Sequence, residues 1–190
     1  NASDINIPEV FVGTDWNLAA ASTVRSDVLM YVGGFVGGAH NLTVASGADL
    51  HVGYNANGDY PDTEVDVTGY TGTVTVNGHM EVSGDWNGGA FVVNSAETLI
   101  VHKDFTVTTL TIGKTGAGTV TVNGTFAGTT VAMPNAGSRL ELNGINNVIT
   151  NNAAQLTGVS GARIVFGSES SLSRSDASGI KWTPSTEVED

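Results

Sequence analysis

One phrase recurs in this chain almost letter for letter. Gly118-Thr-Val120-Thr-Val122-Asn-Gly124 restates Gly72-Thr-Val74-Thr-Val76-Asn-Gly78, 46 residues further on. Within each copy apolar and hydroxyl side chains alternate, which places the valines on one face of a strand and the threonines on the other. Each copy then stops at Asn-Gly, a pair that tolerates positive φ and lets the chain turn a corner. A chain built from such units is a stack of short strands and corners.

With Val74 and Val120 as phase marks, weaker copies are Met30-Tyr-Val32, Leu50-His-Val52, Leu99-Ile-Val101, Leu140-Glu-Leu142 and Ile164-Val-Phe166. The marks at 30, 50, 74, 99, 120, 140 and 164 lie 20, 24, 25, 21, 20 and 24 residues apart. An interval of that size suits one coil of a β-solenoid. Second strands are expected at Leu42–Val44, Val65–Val67, Phe91–Val93, Phe105–Val107 and Val131–Met133. The expected fold is therefore all-β: a single-domain β-solenoid, or β-helix, of about seven coils of 20–25 residues. A β-sandwich or jelly roll is the alternative, since it too has closely spaced short strands. Phe105 and Phe126, about one coil apart, are expected to stack in the core. Asn77, Asn123 and Asn143 share a phase in this alignment and are expected to form a ladder, and Arg139 and Arg163 to share one face.

The chain divides accordingly. Residues 1–29 do not fit the repeat and read as an N-terminal strand or cap, or as an exchangeable arm. Residues 30–167 carry the repeats, and residues 168–190 form a C-terminal cap and a polar tail. In the arm, Ile5, Ile7, Pro8, Val10 and Val12 are the candidate self-association residues. Pro8 lacks a backbone donor, so this strand belongs at an edge or a solenoid end.

Composition excludes several roles. Twenty-five glycines and 14% charged residues fit a turn-rich β protein. A net charge of −12 with seven Lys and Arg leaves no clustered cations for nucleic acid or for an anionic lipid surface. No apolar run is long enough for a transmembrane helix. The absence of cysteine removes disulfides and thiolate metal sites. The chain opens at Asn1-Ala-Ser without Met, as a processed secreted protein or a trimmed chain would.

Candidate chemistry concentrates between residues 54 and 66. Asn55, Asn57, Asp59, Asp62, Glu64 and Asp66 supply closely spaced oxygens around Gly58, the ligand type that calcium takes, although a solvated corner loop has the same composition. Calcium is the cofactor this segment suggests, and none is required. Tyr54, Tyr60 and Trp86, with Asp85, are the candidates for a carbohydrate-contacting surface, Trp86 being expected in a turn and partly exposed. His79 with Glu81 and His102 with Asp104 recur 23 residues apart and suggest a two-His, two-carboxylate metal cluster on neighbouring coils. No carboxylate pair, nucleophile context or phosphate-cradling loop is singled out by spacing, so no catalytic residue is expected.

The T-V-T-V-N-G and R-L-E-L-N-G phrases, with Asn-Gly corners and scarce charge, resemble the β-helical repeats of bacterial autotransporter passengers and of the autotransporter-associated β-strand type. The resemblance spans roughly residues 30–167 and rests on composition. It implies a surface-exposed adhesin, matrix protein or scaffold, secreted or held at the bacterial cell surface. These 190 residues are short for that group and carry no membrane β-barrel domain, which points to a free secreted subunit. Two functions follow as expectations. One is a non-enzymatic extracellular subunit that self-associates into a fibre or matrix, head-to-tail or by strand addition. The other is a carbohydrate-binding or polysaccharide-cleaving β-helix protein with surface glycans as partners. A threonine-rich ice-binding face is a third idea, on Thr73/Thr75 and Thr119/Thr121.

Overall fold

The computed structural model describes residues 4–5, 9–12, 16–30, 35–36, 38–53, 65–94, 96–149, 156–170, 172–174 and 187–189. Among them every regular element is a strand. The first are β1 (Asp4–Ile5), β2 (Glu9–Val12), β3 (Trp16–Asn17), β4 (Ser22–Val24), β5 (Asp27–Met30), β6 (Phe35–Val36), β7 (Leu42–Val44) and β8 (Asp49–Val52). The middle of the chain forms β9 (Val67–Val76), β10 (His79–Val82), β11 (Trp86–Val93), β12 (Thr98–Val101), β13 (Phe105–Ile112), β14 (Thr119–Val122), β15 (Phe126–Met133) and β16 (Arg139–Leu142). β17 (Asn147–Ile149), β18 (Leu156–Gly158), β19 (Arg163–Phe166), β20 (Leu172–Arg174) and β21 (Glu187–Glu189) complete it.

All pairings are parallel, which identifies a solenoid and removes the sandwich, whose sheets are antiparallel. Each coil places one strand in a first sheet, ordered β1-β4-β7-β9-β11-β13-β15-β17-β20, turns a corner, and places the next in a second sheet, ordered β2-β5-β8-β10-β12-β14-β16-β19-β21. β18 joins the first sheet beside β15, and β3 pairs with β6 in a small third sheet. The sheets outrun the expected repeat at both ends. Before residue 30, β1 pairs with β4 and β2 with β5, and after residue 167, β20 and β21 pair with β17 and β19.

Six of the seven phase marks share the second sheet, five of them in one inward row: Leu50, Leu99, Val120, Leu140 and Ile164, completed by Met80. Met30 lies one inward row along, paired with Val52. Val74 is the exception. It lies in the first sheet between Leu42 and Phe91, so the two near-identical phrases occupy different sheets. Alternation tells a residue to face in or out, and nothing in it selects the sheet. The inward rows are closed to solvent, each residue named here being at most 1% exposed. Burying one such aliphatic or aromatic side chain contributes about 1.5–3 kcal/mol.

Aromatic rings form a column through the middle coils. Tyr70, Trp86, Phe91, Phe105 and Phe126 follow at centroid spacings of 5.4, 5.0, 5.1 and 6.0 Å, the first three contacts edge-to-face. The expected contact of Phe105 with Phe126 is thus present. Trp86 departs from expectation: it is buried, at 1% exposure, and its indole N–H donates to the Gly88 carbonyl at 3.0 Å. Gly88, at φ +117, lets β11 shift register against β9, so that Trp86 and Phe91 both turn inward.

Polar ladders line the corners. Asn143 donates to Asn123 at 2.9 Å, whereas Asn77 belongs to the other sheet and accepts from Asn94 at 2.7 Å. At the corner before the first sheet, each aspartate receives a backbone N–H of the following coil: Asp85 to Asp66 at 2.8 Å, Asp104 to Asp85 at 3.0 Å and Thr125 to Asp104 at 2.7 Å. Asn147 works in the opposite direction, accepting the Phe126 N–H at 2.7 Å.

Candidate functional site

The outward positions of the two sheets differ in chemistry. On the first sheet, Thr75, Val92, Thr111 and Ala132 align across neighbouring strands, with Thr23 and Thr43 before them and Thr157 after. Beside that row lies a second, Thr73, Ala90, Thr109 and Thr130. Further along the long strands, Thr68, Thr71, Asn87, Thr106, Thr108, Ala127 and Thr129 also reach solvent. None of these is charged or aromatic; among the described residues the row meets a charged position only at its N-terminal end, where Asp4 of β1 pairs with Thr23. Thr73/Thr75 belong to this face, whereas Thr119/Thr121 lie on the second sheet, so the two pairs do not share a surface.

The second sheet carries the charge. Its outward rows include Asp49, His79, Thr98, Thr119, Arg139 and Arg163, and beside them His51, Glu81, Ile100, Thr121 and Glu141. Arg139 and Arg163 are in register, as expected. Arg139 Nε donates to Glu141 Oε1 at 2.7 Å, and the Thr121 hydroxyl donates to Glu141 Oε2 at 3.1 Å.

Three side chains on this face converge. Glu81 Oε2 lies 3.2 Å from His51 Nδ1, Glu81 Oε1 lies 3.5 Å from His79 Nε2, and the imidazole centroids are 5.6 Å apart. All three side chains are partly shielded, at 17–28% exposure. Among the described residues, this is the one group of three or more His, Cys, Asp or Glu whose ligand atoms come within 4.8 Å of each other. His79 and Glu81 meet because residues two apart on a strand share a face, and the parallel register sets His51 opposite Glu81. The His79–Glu81 part of the expected cluster is present, but its partner is His51. His102 sits beyond the end of β12, beside Asn123 at 3.4 Å. Burial pushes the His102 imidazole below its ordinary pKa.

The hydrogen bonds from His51 and His79 hold the Glu81 carboxyl far below the usual carboxylate range, against the cost of burial. Its hydrogen bond to Glu81 raises His79 above 6.5, burial opposing, with Asp49 and Glu97 adding attraction. A depressed carboxylate stabilises the fold above its ordinary value of 4.5, and this is lost as pH falls through the folded value. A raised histidine stabilises it below 6.5, and this is lost as pH rises through the folded value. The cluster is therefore most stabilising between pH 4.5 and 6.5. In chelator-treated buffer, the difference in Tm between the native chain and Glu81→Gln should be larger at pH 5.5 than at pH 8. A difference that does not vary between those two values would contradict this account.

The other candidates are placed as follows. Asn55, Asn57, Asp59, Asp62, Glu64, Tyr54, Tyr60, Ile7 and Pro8 lie outside the described residues. Asp66 is described, and one of its oxygens already accepts the Asp85 N–H. Ile5 pairs with Val24, and Val10 and Val12 pair with Val28 and Met30, in the first strand of each sheet. Trp86 offers no face to a glycan, because its ring is enclosed between Tyr70 and Phe91. No helix among the described residues is long and apolar enough to cross a membrane.

Comparison with protein-family models, curated proteins and solved structures finds no match.

Proposed function

We propose that the protein is a non-enzymatic extracellular structural subunit, secreted or held at a bacterial surface, that associates laterally with copies of itself through the outer face of its first sheet. The observation that carries this reading is the neutrality of that face from β4 to β15 in a chain of net charge −12. Two copies meeting through the second sheet must desolvate charged groups, Asp49, Glu81, Arg139 and Glu141 among them, whereas two flat threonine faces meet without that cost and can pack at about 10 Å, as stacked sheets do. Threonine offers a methyl group for contact and a hydroxyl that keeps its hydrogen bonding. The absence of aromatic rings from these positions favours self-association over glycan stacking. The likeness of the T-V-T-V-N-G phrases to autotransporter passenger repeats supports the same reading.

The size of the face sets the strength. Four strands of about 8–10 residues, roughly 3.3 Å per residue and 4.8 Å apart, make a plate of roughly 500 Å². That is less than the ~800 Å² per partner of a standard interface. Pairs are accordingly weak, and association becomes firm only in an array where many faces engage together.

The test is sedimentation velocity and electron microscopy of the native chain and of Thr73→Glu/Thr109→Glu. The native chain should show concentration-dependent association, which the double variant loses while keeping its Tm. A native chain that stays monomeric at millimolar concentration overturns the proposal. Association that survives in the double variant, and disappears on deleting residues 1–13, moves the contact to the coil end and also overturns the lateral arrangement.

A further inference from the structure

We propose that His51, His79 and Glu81 form a binding site for a divalent transition-metal ion of the zinc class, bridging β8 and β10. The donor set is two imidazole nitrogens and one carboxylate, which suits zinc, nickel or copper and does not suit calcium, whose sites are built from six to eight oxygens. The spacing is also that of ligands. Two donors each ~2.05 Å from a tetrahedral zinc stand roughly 3.3 Å apart, and the carboxylate oxygens lie 3.2 and 3.5 Å from the two imidazole nitrogens. Three protein ligands leave a fourth position for water, on a face open to solvent.

The surroundings favour a cation. Asp49 pairs with His79 in the register and adds a second carboxylate. The adjacent outward positions, Asp27, Leu29, Thr98 and Ile100, hold no cationic group. The position within the coil is informative as well. His51 and Glu81 are 30 residues apart, the widest separation between register partners in the described part of this sheet. An ion held by both strands clips the two ends of the longest excursion together. Because the ligands converge only in the folded chain, the ion stabilises the native state by an amount that grows with the logarithm of its concentration above Kd.

The experiment uses the full chain stripped with a chelator, with ZnCl2 as titrant in calorimetry and thermal unfolding, and Co2+ as the spectroscopic probe. One zinc should bind per chain, and Tm should rise by roughly 5–10 °C at a hundredfold excess over Kd. Bound Co2+ should show the visible bands of low-coordinate cobalt. His51→Gln and His79→Gln should each weaken binding by on the order of 100-fold, as loss of a direct ligand costs at least as much as loss of its supporting group, with the β-sheet circular dichroism unchanged. His40→Gln and His102→Gln should bind as the native chain does. Absence of stoichiometric binding, or undiminished binding in His51→Gln/His79→Gln, overturns the proposal. Should a variant fail to fold, diethyl pyrocarbonate modification of the native chain decides: zinc must protect His51 and His79 and leave the exposed His40 reactive.

Discussion

Phe105→Ala is expected to lower the stability of the fold by about 3–5 kcal/mol, the largest effect of any single truncation considered for this chain. Phe105 is fully buried and sits within the ring column, 5.1 Å from Phe91 and 6.0 Å from Phe126. The void cannot close cheaply, because β11 and β15 are each held to β13 by a parallel backbone ladder. Neighbouring strands a fixed ~4.8 Å apart cannot slide inward to fill the space left by a ring. Guanidinium unfolding followed by circular dichroism measures the loss. A change below 1 kcal/mol would show that the column relaxes and that the rings are only adjacent.

Asn147→Ala is expected to cost about 2–4 kcal/mol, although it removes few atoms, because it strands buried polar groups. Asn147 is completely buried. Its carbonyl accepts the Phe126 N–H at 2.7 Å, and its amide donates to the Gly144 carbonyl at 2.7 Å and to the Ser170 hydroxyl at 2.8 Å. The backbone donor of Phe126 has no route to water once the side chain is gone. Asn147→Asp separates the two halves of the role. It keeps the acceptor for Phe126 and sets a carboxylate against the Gly144 carbonyl, so this variant should recover stability as the pH falls and the carboxyl is protonated. Amide hydrogen exchange at Phe126 reports directly, with protection lost in Asn147→Ala. Unchanged protection there would mean the corner holds without this side chain.

Phe105 and Phe126 were readable as a stack because the coil between them has the common length, and a period near 21 then places like on like. Val74 was not readable in the same way. Its phrase is nearly identical to that around Val120, and both satisfy the alternation, yet the long excursion after β8 puts one copy in each sheet. A stack of coils is legible from spacing only while the coils keep their length. The same irregularity concealed His51. Its partners lie 28 and 30 residues further on, so an alignment at 20–25 residues pairs His79 with His102 instead.

Trp86 shows a different limit. Asp, Gly and Asn around it are turn-formers, and local composition alone puts its ring outside. Inside the fold, the bulge at Gly88 and the rings of Tyr70 and Phe91 outweigh that local preference. The neutral face of the first sheet was half visible. Thr73 and Thr75 mark it in the sequence, but Thr109 and Thr111 join them only through a register that passes across Ala90 and Val92.

The corner aspartates bear on how the chain acquires its shape when it is delivered from its N-terminus. Asp66 presents its acceptor before Asp85 exists to meet it, and Asp85 and Asp104 repeat the arrangement for the residues after them. Each finished coil is thus a template with a vacant socket for the next. Synthesis at about 5–20 residues per second gives a 20-residue coil roughly 1–4 seconds to emerge. Even microsecond-scale strand pairing is far faster than that. The newest coil can therefore dock before its successor appears, and hydrophobic edges are exposed one at a time. Asn147 reaches back to a coil already laid down, and serves as the latch that locks the completed stretch behind it.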